Sequence, residues 1–104
     1  MSNAPRVVNR QSGEPYDVYV GRPTYWGNPF YIARDMTRAD CIEAYRDFLS
    51  RQPGVVERAQ RELKGKTLAC WCAPKRCHAD ILLKVANDPR PIPEILSALV
   101  RGEI

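Results

Sequence analysis

Residues 66–87 have the pattern of a buried strand, a tight loop and a helix, in the sequence KTLACWCAPKRCHADILLKVAN. From Lys66 to Cys72 the side chains alternate between two faces, which predicts a strand with one face formed by Leu68, Cys70 and Cys72. Ala73–Arg76 follow as a short loop. From Cys77 to Asn87 apolar residues recur at helical spacing, which predicts a helix that buries Ile81, Leu82 and Val85.

Two shorter β-prone segments precede this unit. Arg6–Val8 and Tyr16–Val20 have strand-like patterns, and Gly13 and Pro15 lie in the turn between them, so the two strands are expected to pair as a hairpin. After the second strand, Gly21–Pro29 contains two prolines, two glycines and one asparagine. That density excludes helix and strand and predicts a structured loop.

Three further helices are predicted. Thr37 and Asp40 fit a capping box that opens a helix ending before Pro53, whose apolar face contains Cys41, Ile42, Tyr45, Phe48 and Leu49. A helix over 55–64 ends at Gly65, where a left-handed residue is expected, and buries Val56, Ala59 and Leu63. Beyond a proline-rich spacer at 88–93, Pro93 begins a last helix with an apolar side of Ile95, Leu96, Leu99 and Val100.

These elements predict an α/β fold, a small, open, mostly parallel, Rossmann-like sheet covered by helices. The strands before position 20 and after position 66 are joined through helices, which makes a parallel pair, and the first strand is the candidate for an antiparallel edge. With 104 residues the chain is expected to be a single domain, 1–104, in which 88–104 is a C-terminal extension. Ligands of such sheets bind beyond the carboxyl ends of the parallel strands, where Gly21–Phe30 and Cys70–His78 both follow.

The net charge of +4 is unevenly distributed. Six Lys and Arg against one Glu give +5 between positions 58 and 76, so the rest of the chain sums to −1. This surplus favours an anionic partner, either a nucleotide-like small molecule or nucleic acid, and the alternative is a solvated helix face. No apolar run suits a membrane span or a secretory signal, so a cytoplasmic protein without a membrane partner is expected.

Two interpretations of the Cys70–His78 segment remain open. In the first, Lys75, Arg76 and the N–H groups at the start of the helix hold a phosphate. Cys77, at the helix N-terminus beside two cations, is then expected to have a lowered thiol pKa, and His78 to act as acid or base. Cys77 and His78 are therefore the candidate catalytic residues, although the sequence does not decide whether the protein is an enzyme.

In the second interpretation the segment holds a structural zinc ion, because three Cys and one His are a common ligand set, here Cys70, Cys72, Cys77 and His78. Against zinc, neighbouring residues at a helix start diverge by about 100° around its axis, so Cys77 and His78 rarely bind one ion together. Zinc is the alternative cofactor, and the first interpretation requires none. Cys70 and Cys41 also fit the plain role of small buried hydrophobes.

The Gly21–Phe30 loop supplies a second candidate surface. Its candidate residues are Arg22 for a phosphate, Asn28 for a base or sugar edge, Tyr25 or Trp26 for stacking, and Gly27 for close backbone approach. The alternative is that the aromatic residues only plug the edge of the sheet, and this is preferred for Phe30.

Three stretches, GRPTYWGNPF at 21–30, AYR at 44–46 and LKGKTLACWCAPKRCHADIL at 63–82, resemble a bacterial and phage family, the domain of unknown function numbered four-three-two-six. The resemblance covers about Val7 to Leu83. It implies a small stand-alone α/β protein with no established activity. Its signature residues are Arg22, Gly27, Asn28, Pro29, Cys70, Cys72, Pro74, Cys77, His78 and Asp80.

The sequence thus predicts a cytoplasmic protein that binds a phosphorylated, nucleotide-like ligand between the two motifs. A further prediction is that Cys77 and His78 process that ligand. The predicted ligand-binding residues are Arg22, Trp26, Gly27, Asn28, Lys75, Arg76 and Asp80. The competing prediction is a non-catalytic nucleic-acid or protein-binding module with a structural zinc.

Overall fold

The computed structural model describes residues 4–30 and 36–104, which form one three-stranded sheet and four helices. The strands are β1 (Val7–Asn9), β2 (Val18–Tyr19) and β3 (Leu68–Cys70), and the helices are α1 (Arg38–Ser50), α2 (Pro53–Glu62), α3 (His78–Asn87) and α4 (Ile92–Val100). β3 lies in the middle, and β1 and β2 both run parallel to it. The predicted α/β fold with a small open parallel sheet is confirmed.

The predicted hairpin between the first two strands is wrong, and so is the antiparallel edge. Leu68 of β3 is in register with both Val7 of β1 and Val18 of β2, so β3 separates the two N-terminal strands. All three residues of β3 are buried. A strand buried on both faces is typical of the interior of a parallel sheet, and its central position satisfies its backbone groups on both sides.

Local sequence signals, a capping box and a proline, explain where the first two helices begin. The Thr37 hydroxyl accepts a hydrogen bond from the Asp40 N–H at 3.1 Å, and the Asp40 carboxylate accepts one from the Thr37 N–H at 3.0 Å. This reciprocal box opens α1 as predicted. α2 begins two residues earlier than predicted, at Pro53, because proline suits the first helical position. Gly65 has the predicted positive φ, at 75°.

The hydrophobic core lies between the sheet and the helices, and all four helices contribute to it. The predicted buried faces of α2 and α3 are confirmed, and their buried members are Val56, Ala59, Leu63, Ile81, Leu82 and Val85. On α1 the predicted Phe48 is only half-buried, although it packs against the core. No helix within residues 4–30 and 36–104 is long and apolar enough to cross a bilayer.

Two positions on the helices differ from the predicted faces. Val100, predicted to be buried, is 73% exposed, and Ala98 takes its place in the core. α4 ends at Val100, so its side chain points past the last packed turn. On α1 the charged Arg46 is buried, where its Nε donates to the carbonyl oxygen of Ile104 at 2.7 Å and its guanidinium pairs with Glu43.

Candidate functional site

A cavity of about 330 Å³ lies at the carboxyl ends of β2 and β3. Its wall combines the loop after β2, the segment after β3 and the first turns of α1 and α3. The described residues that line it are Tyr19, Gly21, Arg22, Asn28, Phe30, Arg38, Cys41, Ile42, Cys70, Trp71, Cys72, Cys77 and His78. The two segments that the sequence predicts at one edge of the sheet therefore share this cavity.

Two thiols meet in the cavity wall. Cys70 ends β3, Cys77 is the N-cap of α3, and their Sγ atoms are 3.3 Å apart. Both residues are buried, and neither forms a disulfide. This pairing joins a strand end to a helix start across the intervening loop, so the spacing of the cysteines along the chain does not reveal it.

The thiol pair reverses the predicted site of the thiolate. The hydrogen bond from the Cys77 thiol lowers the pKa of Cys70 to about 6, with further help from the backbone N–H groups of Ala73 and Cys72. The same hydrogen bond raises the pKa of Cys77, and burial adds to the rise. The predicted lowered pKa at Cys77 is not supported, because the hydrogen bond between the two sulfurs raises the pKa of that thiol.

The other two cysteines border the same cavity without joining the pair. Cys72 is half-buried beside the opening, whereas Cys41 is buried on α1, as expected for a core residue. No three Cys, His, Asp or Glu side chains within the described ranges come together as a set that could hold a metal ion. The zinc interpretation stays a prediction from spacing.

His78 is buried at the first turn of α3 and lines the cavity. Its Nε2 lies 2.8 Å from the carbonyl oxygen of Val20. Because a carbonyl only accepts, Nε2 carries the proton and Nδ1 keeps its lone pair. The Tyr45 ring packs edge-on at 5.1 Å, and burial lowers the pKa of His78, so the imidazole is neutral at physiological pH.

Two arginines face the cavity, and one of them was not predicted. Arg22, which was predicted, enters from the loop after β2, and Arg38 enters from the first turn of α1. Among the residues that the structure describes, no carboxylate forms an ion pair with Arg38. The cap at Thr37 locates Arg38 at a helix start, but its direction toward the cavity depends on how α1 packs.

Lys75 and Arg76 are exposed in the loop between the paired thiols, and neither lines the cavity. Asp80, also predicted to bind ligand, is instead a cap, since its carboxylate accepts a hydrogen bond from the Cys77 N–H at 2.9 Å. Asp80 thus positions the start of α3 and does not reach the cavity.

Asn28 lines the cavity, but its amide is engaged in holding the loop. Its Nδ2 donates to the Cys41 carbonyl at 3.3 Å, and its Oδ1 accepts from the Phe30 N–H at 2.9 Å. Both ends of the side chain are used, so the predicted contact with a base or sugar edge is not supported. Asn28 instead attaches the loop after β2 to α1.

Trp26 and Gly27 have structural positions in this loop. Trp26 is 5% exposed in the core and does not line the cavity, so the predicted stacking on a ligand ring is wrong for this residue. Tyr45 donates a hydrogen bond to its carbonyl at 3.1 Å. A Cβ at Gly27 would lie 2.9 Å from Cγ and 3.0 Å from Cα of Arg22. The absence of a side chain at Gly27 therefore makes room for Arg22, and not for a ligand.

The mouth of the cavity has an aromatic wall that the sequence analysis did not single out. Trp71 is 50% exposed, and its indole N–H donates to the Tyr19 hydroxyl at 2.7 Å. That hydroxyl in turn donates to the carbonyl of Arg22 at 2.8 Å. The Arg10 guanidinium lies 4.3 Å from the Tyr19 ring centre and 5.4 Å from that of Trp71. The available signal in the sequence was a tryptophan between Cys70 and Cys72, on the opposite face of the predicted strand.

Comparison with known proteins identifies a family without a stated activity. The family model of DUF4326, a domain of unknown function, matches residues 6–88. An uncharacterised 12.4 kDa protein of the nrdA-td intergenic region of Enterobacteria phage T4 is 40% identical over 86 residues, which are 79% of this chain and 77% of the relative. No solved structure matches. α4 lies outside the matched residues, although its buried side chains belong to the same core.

Proposed function

Because the chain belongs to the DUF4326 family, a domain of unknown function, we propose its function from the site alone: it binds a phosphorylated, nucleotide-like molecule in the cavity after β2 and β3. One observation carries this proposal. Two arginines and an exposed indole border a cavity of about 330 Å³ that has no acidic residue among its described lining. The volume is near the lower end of typical ligand pockets, roughly 300–1,000 Å³.

The charge of the wall favours an anion. Arg22 and Arg38 both line the cavity, and guanidinium binds phosphate oxygens in a bidentate manner. His78 is neutral and adds no charge, while the shared thiol proton leaves a single negative charge at Cys70. Arg38, which forms no ion pair with a described carboxylate, is therefore the group of the described wall that favours an anion.

The aromatic wall favours a ligand with a flat ring. Trp71 and Tyr19 lie at the mouth, and the hydrogen bond between them fixes the orientation of the indole. Bases stack on such side chains with about 1–3 kcal/mol per base. A phosphate near Arg38 and a base on Trp71 are the arrangement that this wall accommodates.

The proposal is restricted to binding. Cys77, the predicted nucleophile, retains its proton in the thiol pair, and the His78 Nε2 is occupied by the Val20 carbonyl. The geometry therefore gives no support to a Cys77–His78 catalytic pair.

Binding is tested by calorimetric titration with adenosine monophosphate (AMP), adenosine and inorganic phosphate. AMP is expected to bind more tightly than either fragment. Arg38→Ala is expected to weaken AMP binding by roughly tenfold or more, as loss of one charge-assisted contact does. The matched control is the double substitution Lys75→Ala and Arg76→Ala, which removes two exposed charges outside the cavity and is expected to change the affinity less than about twofold.

The opposite ranking of the variants would assign the anion to the exposed loop and contradict the cavity. Failure of AMP to bind would overturn the proposal. The competing zinc module predicts a different result, one zinc per chain and protected thiols at Cys70, Cys72 and Cys77. Elemental analysis with thiol titration, on protein purified without chelator, decides between the two.

A further inference from the structure

We propose that Cys70 and Cys77 are a redox pair, which a small hydroperoxide entering the cavity converts to a reversible disulfide. This inference rests on the thiol geometry and is independent of nucleotide binding.

The two sulfurs are already placed for bond formation. Their separation of 3.3 Å exceeds the roughly 2.05 Å of a disulfide bond by a little over 1 Å. The segment that joins them is short, and its Lys75 and Arg76 are exposed. Both sulfurs belong to the cavity wall, which gives a small oxidant a path to residues that are otherwise buried.

The surroundings assign different roles to the two sulfurs. The Cys70 thiolate is stabilised by the Cys77 thiol and by the N–H groups of Cys72 and Ala73. Cys77, at the N-cap of α3, retains the proton that completes the reaction. Cys70 is taken as the attacking sulfur and Cys77 as the resolving sulfur, and the 3.3 Å contact between them serves either order of attack.

The reaction balances in two steps. The Cys70 thiolate attacks one oxygen of hydrogen peroxide, the O–O bond breaks, and Cys70 sulfenic acid and hydroxide form. The Cys77 sulfur then attacks the Cys70 sulfur, and an S–S bond replaces the S–O bond. The departing hydroxide takes the thiol proton to form one water molecule, and the first hydroxide takes from solvent the proton that Cys70 released on ionising to form the second. Both thiols are oxidised by two electrons in total, one peroxide is reduced, and a dithiol reductant reverses the change.

The test is mass mapping of the full-length protein after treatment with hydrogen peroxide. The chain has four cysteines, and we expect two to be lost to a thiol reagent while the mass falls by two hydrogens. Trypsin cuts after Lys66, Lys75, Arg76 and Lys84, so without reduction the peptides Thr67–Lys75 and Cys77–Lys84 are expected to remain linked. Dithiothreitol is expected to separate them.

Variants identify the partner within the first peptide. Cys72→Ser keeps Cys70 and is expected to form the link at the wild-type rate, whereas Cys70→Ser is expected to lose it and to consume peroxide roughly tenfold more slowly. A link that disappears in Cys72→Ser, or wild-type protein that oxidises all four thiols without linking, would overturn the proposal. Fragmentation of the linked wild-type peptides in the mass spectrometer assigns the bond to Cys70 or to Cys72, so poor folding of a variant does not leave the question open; a bond at Cys72 would overturn the proposal.

Discussion

Cys70 is the side chain whose chemistry depends most on its neighbours. Its pKa near 6 results first from the hydrogen bond donated by Cys77. The thiolate fraction therefore rises as the pH rises through about 6, whereas an ordinary thiol ionises near pH 8.5. We predict that the ultraviolet thiolate absorbance of the wild type, minus that of Cys70→Ala, has its midpoint near pH 6.

Cys77→Ala supplies the control for this titration. It removes the thiol donor, so the midpoint of Cys70 is expected to move up toward about 8.5. By linkage, the lowered pKa of Cys70 makes the protein more stable as the pH rises from about 6 to about 8.5, and the raised pKa of Cys77 takes stability away as the pH rises further. A wild-type difference spectrum that stays flat below pH 8 would show that the two sulfurs do not share their proton.

At this scale the sequence identifies the thiols but not their partners. Cys70, Cys77 and His78 were all predicted as site residues, and all three line the cavity. Which thiol is acidic depends on a 3.3 Å contact between a strand end and a helix cap, and such a contact exists only after the chain has folded. For the same reason Trp26 was predicted at a ligand, although its ring belongs to the core.

At the scale of elements, the cap of α3 sets the position of the thiol pair. The Asp80 carboxylate accepts a hydrogen bond from the Cys77 N–H, and we predict that Asp80→Ala destabilises the protein by about 1 kcal/mol in urea unfolding. Asp80→Ala is also expected to raise the pH midpoint at which Cys70 ionises, because Cys77, the N-cap residue that donates to Cys70, is no longer fixed.

Thr37→Ala is the control, since it opens the capping box of α1 by removing its N-cap hydroxyl. It is expected to cost a similar amount, about 1 kcal/mol, without moving the Cys70 midpoint. If both variants leave the midpoint in place, the cap stabilises α3 but does not position the thiols.

The helices were predictable because their signals are local. The box at Thr37 and Asp40, the proline at Pro53 and the glycine at Gly65 all act within a few residues. The pairing of strands was not predictable in this way. A turn at Gly13 favours a hairpin locally, but β3 competes for both N-terminal strands and satisfies them from its two edges.

At the scale of the whole molecule, parallel strands explain why two distant segments form one site. β2 and β3 end at the same edge of the sheet, so the loop after each contributes to the same cavity. The sequence predicts this convergence from strand order alone. It does not predict Arg38, which reaches the cavity because α1 packs beside those loops, nor the outward direction of Lys75 and Arg76.

The central claim, that a nucleotide occupies this cavity, is tested most directly by nuclear magnetic resonance of isotope-labelled protein during titration with AMP. The account predicts saturable shifts of the Gly21 amide and the Trp71 indole N–H, both at the cavity, while the distant Gly54 and Gly102 amides stay unchanged. Shifts confined to Lys75 and Arg76, or no saturable shift at any concentration of AMP, would contradict it.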